Sequence, residues 1–423
     1  MSTPRERSLD ATIALRREGY PFILRRRKRL GSDVFETRIL LQPTMCVGGE
    51  EAAKLFYRTE YFRRDGASPS RVEKTLFGEG GVQGLDGERH LARKAMFMSL
   101  MGEERLADLN RRLRREWEFR AEAWALRGQV VLLDEVRPAL CRAICAWSGV
   151  PLPESDLVRR TEDLSALIEA AGAVGPRHWK GRLARRRSER WIADLVRSVR
   201  SGTLAPPEGS PLEVIARYRS PKGEELDADI AAVEVLNILR PTVAVAYYLV
   251  YVALALHEHP EERVRLDEED GRTRDERIVH FVQEVRRFYP FFPFAAAIVR
   301  KDFEWEGHRF PENRRVLLDL YGTNRDPSVW EDPDRFHPPR FRDRDPGLYA
   351  LIPQGGGDHD SNHRCAGEFM TVEIMKGWVE FLSSGVDYDV FPQDLEIDPA
   401  VMPGRPASGF VIENVRLRRE VSR

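Results

Sequence analysis

The sequence predicts a mainly α protein, a large helical domain with small β-sheets. Long stretches carry apolar residues at helical spacing, strand-like runs are few and short, and no Ser/Gly/Pro-rich linker cuts the 423 residues in two. Length alone is a soft prior for about three domains. The missing linker favours a single domain over residues 1–423, and no period of about 20–50 residues marks a repeat array.

Taken in order, the first short strand-like runs are Phe22–Leu24 and Glu36–Leu41. Leu106–Leu126 is a charged amphipathic helix, and Val136–Gly149 a more apolar one. Gly and Pro at 201–211 mark a surface loop. Asp227–Glu258 is apolar on nearly every side, which places it through the centre of the domain. Ala296–Val299 and Val316–Leu320 are further strand-like runs. Beyond Asp319 the chain is loop-rich, with Pro327, Pro333, Pro338, Pro339, Pro346 and Pro353. A last helix runs from about Ala366 to Leu382.

Composition excludes several classes. The 67 basic and 68 acidic residues nearly cancel, so no overall field draws nucleic acid or an anionic membrane. The basic clusters Arg25–Arg29, Arg111–Arg115 and Arg185–Arg190 have acidic neighbours and read as solvated helix faces and loop edges. The N-terminal segment has no apolar core of a secretory signal, and the uncharged run Pro241–Leu256 is shorter than the ~18–20 residues of a membrane span. Four scattered cysteines, Cys46, Cys141, Cys145 and Cys365, make no disulfide framework and fit a reducing, cytoplasmic compartment.

Cys365 differs from the other three. Its segment, IPQGGGDHDSNHRCAGE, is a glycine-rich loop leading into a helix. Glycines let the backbone pass close to a flat ligand, and a helix N-terminus favours a thiolate. His363 and Arg364 beside it suit an anionic group. Such a set fits a thiolate-ligated haem, with sulfur on iron and cations at the propionates.

With Glu284-Val285-Arg286-Arg287 and Phe336-His337-Pro338-Pro339-Arg340-Phe341, this loop resembles the signatures of the cytochrome P450 superfamily. The resemblance implies the P450 fold, haem b with Cys365 as the iron ligand, and a structural network of Glu284, Arg287 and Arg340 behind the haem.

The central helix narrows the reading. Leu239-Arg240-Pro241-Thr242 has no acid beside Thr242, where P450 monooxygenases keep an acid–alcohol pair. Proline inside a helix costs about 3 kcal/mol, and a buried arginine demands an anionic partner. A substrate carboxylate held by Arg240 would supply one. The Arg240–Pro241 pair, with AGAVGPRHWKGR at 171–182, NILRPTVA at 237–244 and FVQEVRRFYP at 281–290, resembles the bacterial fatty-acid peroxygenase P450 family.

That resemblance implies a hydrogen-peroxide-dependent hydroxylation of fatty acids at the α and/or β carbon, with no obligatory redox partner, no nucleic acid and no membrane anchor. Arg240, Pro241 and Gln83 would serve catalysis, the bound carboxylate acting as general acid–base. Phe77 and Gln83 would lie near the substrate, and His90, Lys94, Arg64 and His363 at the haem propionates. Ala366 departs from the family's usual proline. Glutamine at position 83 resembles the hydroxylating side of the family. Decarboxylation to terminal alkenes is the alternative outcome, and a redox-partner-dependent monooxygenase is a further one. Phe291 and Phe292, with Phe288, Tyr289 and Phe294, either line an apolar substrate tunnel or pack the core.

Overall fold

The 31-residue helix Ala228–Glu258 runs through the molecule, opened by Asp227, whose carboxylate accepts the Asp229 N–H at 2.8 Å. A computed structural model describes residues 3–268 and 271–418. Residues 1–2 of the N-terminal segment lie outside them. Among the described residues this helix alone is long and apolar enough to cross a membrane, but 94% of its apolar window is buried inside the protein. It is therefore a core helix, and its apolar surround comes from protein.

That surround is helical. Leu132–Trp147, Glu154–Glu169, Pro176–Arg200 and Glu368–Glu380 pack around it. Buried aromatics fill the seam with Glu103–Ala125. Trp117 meets Trp378 edge-on at 4.9 Å, Trp378 stacks on Phe381 at 5.3 Å, and Trp378 Nε1 donates to the Leu249 carbonyl at 2.9 Å. The large rings bury much apolar area, and Trp378 does so with its one polar atom paired.

A five-stranded sheet flanks this bundle, in the order Val34–Ile39, Gln42–Val47, Arg315–Asp319, Phe294–Val299, Phe62–Arg63. Its pairs are antiparallel except Gln42–Val47 beside Arg315–Asp319. The central strand Arg315–Asp319 is buried at every position. Among the described residues there are also a three-stranded and a two-stranded sheet, and the mainly helical class holds.

The expected helices appear as Glu103–Ala125, Leu132–Trp147, Ala228–Glu258 and Glu368–Glu380, and the 201–211 stretch connects two helices. One expectation fails. Phe22–Leu24 is not a strand but the start of the helix Phe22–Leu30. Arg26, one turn on, lies 3.7 Å over the Phe22 ring, donates to the Phe22 carbonyl and pairs with Glu18. These contacts hold the segment helical.

Two of the basic clusters are also not wholly solvated. Arg26 and Arg27 are buried, Arg27 among Asp33, Asp319 and Asp326. Arg185 is buried against the 70s segment. Arg111 and Arg115 do lie on an exposed helix face.

Candidate functional site

The cysteine loop is shaped by its glycines. Gly355 and Gly357 have φ of 94° and 84°, and a Cβ on Gly357 would meet Asn362 Oδ1 at 2.2 Å, so only glycine fits there. The Cys365 N–H donates to the Gln354 carbonyl at 3.1 Å, and the Glu368 N–H to the Cys365 carbonyl at 3.2 Å. A helix then starts at Glu368. Burial and the Glu368 carboxylate push the Cys365 thiol up, while the Gly367 N–H, Lys94 and Arg240 act the other way. Cys365 is partly exposed, unlike the buried Cys46, Cys141 and Cys145.

Four basic side chains gather beside this loop. Lys94 Nζ donates to the Arg364 carbonyl. His90 stacks on His363 with centroids 3.7 Å apart, and His363 Nε2 lies 2.9 Å from the Leu85 carbonyl. Arg64 lies 4.2 Å over the Phe56 ring. Among the described residues no carboxylate bonds to any of these four side chains. Burial presses all four pKa values down, Arg64 to about 10 and His90 to about 4, and mutual repulsion adds to the effect at both histidines. A buried basic cluster without carboxylate partners beside a thiol matches the donor set of haem, whose two propionates would neutralise it. Arg364, read with His363 as a partner for an anion, instead grips Glu368 at 2.6 and 3.0 Å.

The segment holding Phe77 ends on Gly78, with φ of 88°. A Cβ on Gly78 would come within 2.0 Å of Arg185 Nη2 and 2.6 Å of Val233. Arg185 Nη1 donates to the Leu76 carbonyl at 3.2 Å. Arg240 reaches the same carbonyl from the central helix, gives a second bond to Asn237 Oδ1 at 3.2 Å, and lies 5.9 Å from the Phe77 ring centroid.

Arg240 Nε is buried and makes no hydrogen bond, and among the described residues no carboxylate pairs with the guanidinium. Burial, then repulsion from Arg185, lowers its pKa to about 9, which leaves it cationic at neutral pH. An orphaned donor on an unpaired buried cation is costly.

Gln83 joins the cluster, its Oε1 accepting from Asn237 Nδ2 at 3.2 Å. Pro241 sits inside the helix and has no N–H to give the Asn237 carbonyl. Thr242 Oγ1 donates to the Ile238 carbonyl at 2.8 Å and lies 3.4 Å from Met370 Sδ, so its hydroxyl is committed to the helix and its packing.

Phe291 and Phe292 form a separate aromatic pair. Phe291 stacks on Tyr248 at 4.2 Å, and Phe292, 40% exposed, meets Phe291 edge-on. Phe288 and Tyr289 pack against Phe336 and Tyr251 in the core. Glu284 takes two bonds from Arg287 at 2.7 and 2.8 Å and one from Arg340 Nε at 3.2 Å.

Sequence reasoning did not find Glu234, Asn237, Arg93 or Arg185. Glu234 had a signal, an acid within an apolar helix, the same anomaly that singled out Arg240. Arg185 had none, because its burial depends on a segment about a hundred residues away.

Comparisons with known proteins agree with this geometry. The cytochrome P450 family model matches residues 277–377, which hold both Glu284–Arg287 and Cys365. The chain is similar to cytochrome P450EX alpha (CYP152N1), solved with myristic acid, at 44% identity and TM-score 0.94, covering 99% of this chain and all of that one. It is similar to cytochrome P450SP alpha (CYP152B1), solved with (R)-ibuprophen, at 46% identity and TM-score 0.94, covering 97% of this chain and all of that one. A variant of cytochrome P450 OleT, solved with arachidonic acid, matches at 34% identity and TM-score 0.96 over the full length of both. Among curated sequences, the taxane 10-beta-hydroxylase of Taxus cuspidata is 25% identical over 92% of this chain and 83% of its own. With the thiol loop, the basic cluster and the buried ion network in place, these likenesses fix the assignment: the chain is an enzyme of the cytochrome P450 superfamily and belongs, within it, to the CYP152 fatty-acid peroxygenases.

Proposed function

We propose that the protein uses hydrogen peroxide to hydroxylate fatty acids at the α and/or β carbon, with the substrate carboxylate bound to Arg240 serving as general acid–base. The observation that carries this reading is the buried Arg240 guanidinium, with its orphaned Nε and no carboxylate partner among the described residues. Relatives solved with myristic and arachidonic acid support an acyl chain ending in a carboxylate.

Cys365 would ligate the haem iron, with Lys94, His90, His363 and Arg64 at the propionates. Bound there, haem supplies O–O bond cleavage and oxidation of the substrate C–H bond. Arg240 stays protonated, so it holds charge and does not pass a proton. The carboxylate it orients has the free oxygen for that task. It takes a proton from one peroxide oxygen and returns it to the oxygen that leaves as water. Overall, R–H and H2O2 give R–OH and H2O, so no electron donor is needed. A carboxylate held by Arg240 would present its nearest carbons, α and β, for oxidation. The commitment of Thr242 to its own helix weighs against a monooxygenase-type relay.

The test is product analysis of the haem-loaded protein with saturated acids and peroxide, beside Arg240→Ala. Hydroxy acids are expected from the parent, with terminal alkenes as a minor product. Turnover in Arg240→Ala is expected to fall at least about a hundredfold, since misplacing reacting groups by about 1 Å already costs that much. Parental turnover by Arg240→Ala would reject the reading.

A further inference from the structure

Arg240 and Gln83 share one neighbour, Asn237, and the side-chain amide of Asn237 is fixed from behind. Glu234, Asn237 and Arg240 follow at three-residue steps on the central helix. The Glu234 carboxylate is fully buried and forms an ion pair with Arg93, itself 7% exposed. It also accepts Asn237 Nδ2 at 2.9 Å and the Val82 N–H beside Gln83. Burial pushes this carboxyl up and Arg93 opposes the rise. An ionised carboxylate only accepts hydrogen bonds.

That chemistry sets the direction of every bond downstream. The NH2 group of Asn237 must face Glu234, and its second hydrogen reaches Gln83 Oε1 at 3.2 Å. Asn237 Oδ1 is left to accept from Arg240 Nη2. Since Gln83 Oε1 already accepts, the NH2 of Gln83 remains as its donor. A flipped Asn237 would set its NH2 against the Arg240 guanidinium, donor to donor, and turn its oxygen to Glu234.

We propose that Glu234, paired with Arg93, is a positioning residue that locks Asn237 so that Arg240 and Gln83 both present N–H donors to the substrate carboxylate. The proposal rests on the carboxylate-binding reading of Arg240 given above. By setting the tilt of the carboxylate, Glu234 would help decide which carbon is presented, a role distinct from holding the helix together.

The test compares Glu234→Gln and Asn237→Ala with the parent, all as haem-loaded protein. Three quantities are read: the melting temperature, the Kd for myristic acid from its absorption shift, and the ratio of 2- to 3-hydroxymyristate. Glu234→Gln keeps the volume but can donate or accept, so it no longer dictates the Asn237 orientation. Both variants are expected to raise the Kd about tenfold, the weight of a hydrogen bond to a charged group, and to change the product ratio. Parental Kd and product ratio in either variant, whatever the melting temperature, would overturn the proposal. Should Glu234→Gln not fold, Asn237→Ala decides alone. Arg240→Ala separates the two ideas. If it stays fully active the binding reading falls. If it is inactive while the other two variants behave as the parent, only the positioning role falls.

Discussion

Gly78 shows how much of the site rests on one missing side chain. Its φ of 88° disfavours any L-residue, and a Cβ there would strike the guanidinium of Arg185 and the Val233 side chain. Arg185 holds the Leu76 carbonyl from one side and Arg240 holds it from the other. Moving Gly78 therefore moves the strut beneath Arg240. Gly78→Ala is expected to destabilise the protein by about 1–3 kcal/mol and to weaken fatty-acid binding. Thermal unfolding and the fatty-acid absorption shift would measure both. Gly84→Ala is the control, because its Cβ meets nothing within 4 Å. It should leave binding unchanged. At this scale the sequence was legible where a residue contradicts its surroundings. Arg240 and Pro241 in an apolar helix, and Cys365 among glycines, declare themselves. Arg185 does not, since an arginine in a basic run looks solvated until a distant segment folds over it.

At the scale of the element, the cysteine loop is held by charge as well as by glycine. Glu368, at the first turn of the following helix, takes bonds from Arg286 and Arg364 and lies 3.2 Å from His359 Nε2. Burial alone would push its carboxyl up, but Arg286, His359 and Arg364 outweigh it and hold it far below the usual range. A depressed carboxyl stabilises the fold above its unfolded pKa of about 4.5, and that contribution is lost as pH falls below it. Glu368→Gln would leave Arg286, 1% exposed, without its charged partner, and breaking such a buried pair costs about 3–5 kcal/mol. Two results are expected: a lower melting temperature for Glu368→Gln at pH 7, and a smaller gap from the parent on acidification below pH about 4.5. A gap that stays constant with pH would refute the assignment. The loop itself was legible from its glycines and cysteine. The helix Phe22–Leu30 was not, because a short apolar start followed by a basic run has no distinctive period until Arg26 folds back on Phe22 and Glu18.

Across the whole molecule, the ion network behind the loop ties together segments far apart in the chain. Glu284 and Arg287 lie on the helix Gly271–Phe288, both essentially inaccessible to solvent. Arg287 Nη1 donates to the carbonyls of Asn324 at 3.0 Å and Pro333 at 2.8 Å. Glu284 accepts the His337 N–H at 2.7 Å as well as Arg340. Asn324 continues the chain of contacts, its Oδ1 accepting the Ile352 N–H at the root of the cysteine loop. Three residues thus fix the loop-rich stretch after Asp319, which lacks long regular elements of its own. The motif could be read in the sequence because i and i+3 on a helix already pair, but its reach into 324–352 depends on backbone carbonyls, which leave no mark on side-chain identity. Removing the charge of Glu284 leaves two arginines facing each other in a buried space, with repulsion in place of attraction. Glu284→Gln is therefore expected to cost about 3–5 kcal/mol and to loosen the stretch that carries Cys365. Haem content per chain should drop with it, and hydrogen exchange should speed up across 324–352 while the Glu103–Ala125 helix stays protected. Equal loss of protection in both places would mean that the network supports the fold globally and does not specifically hold the cysteine loop.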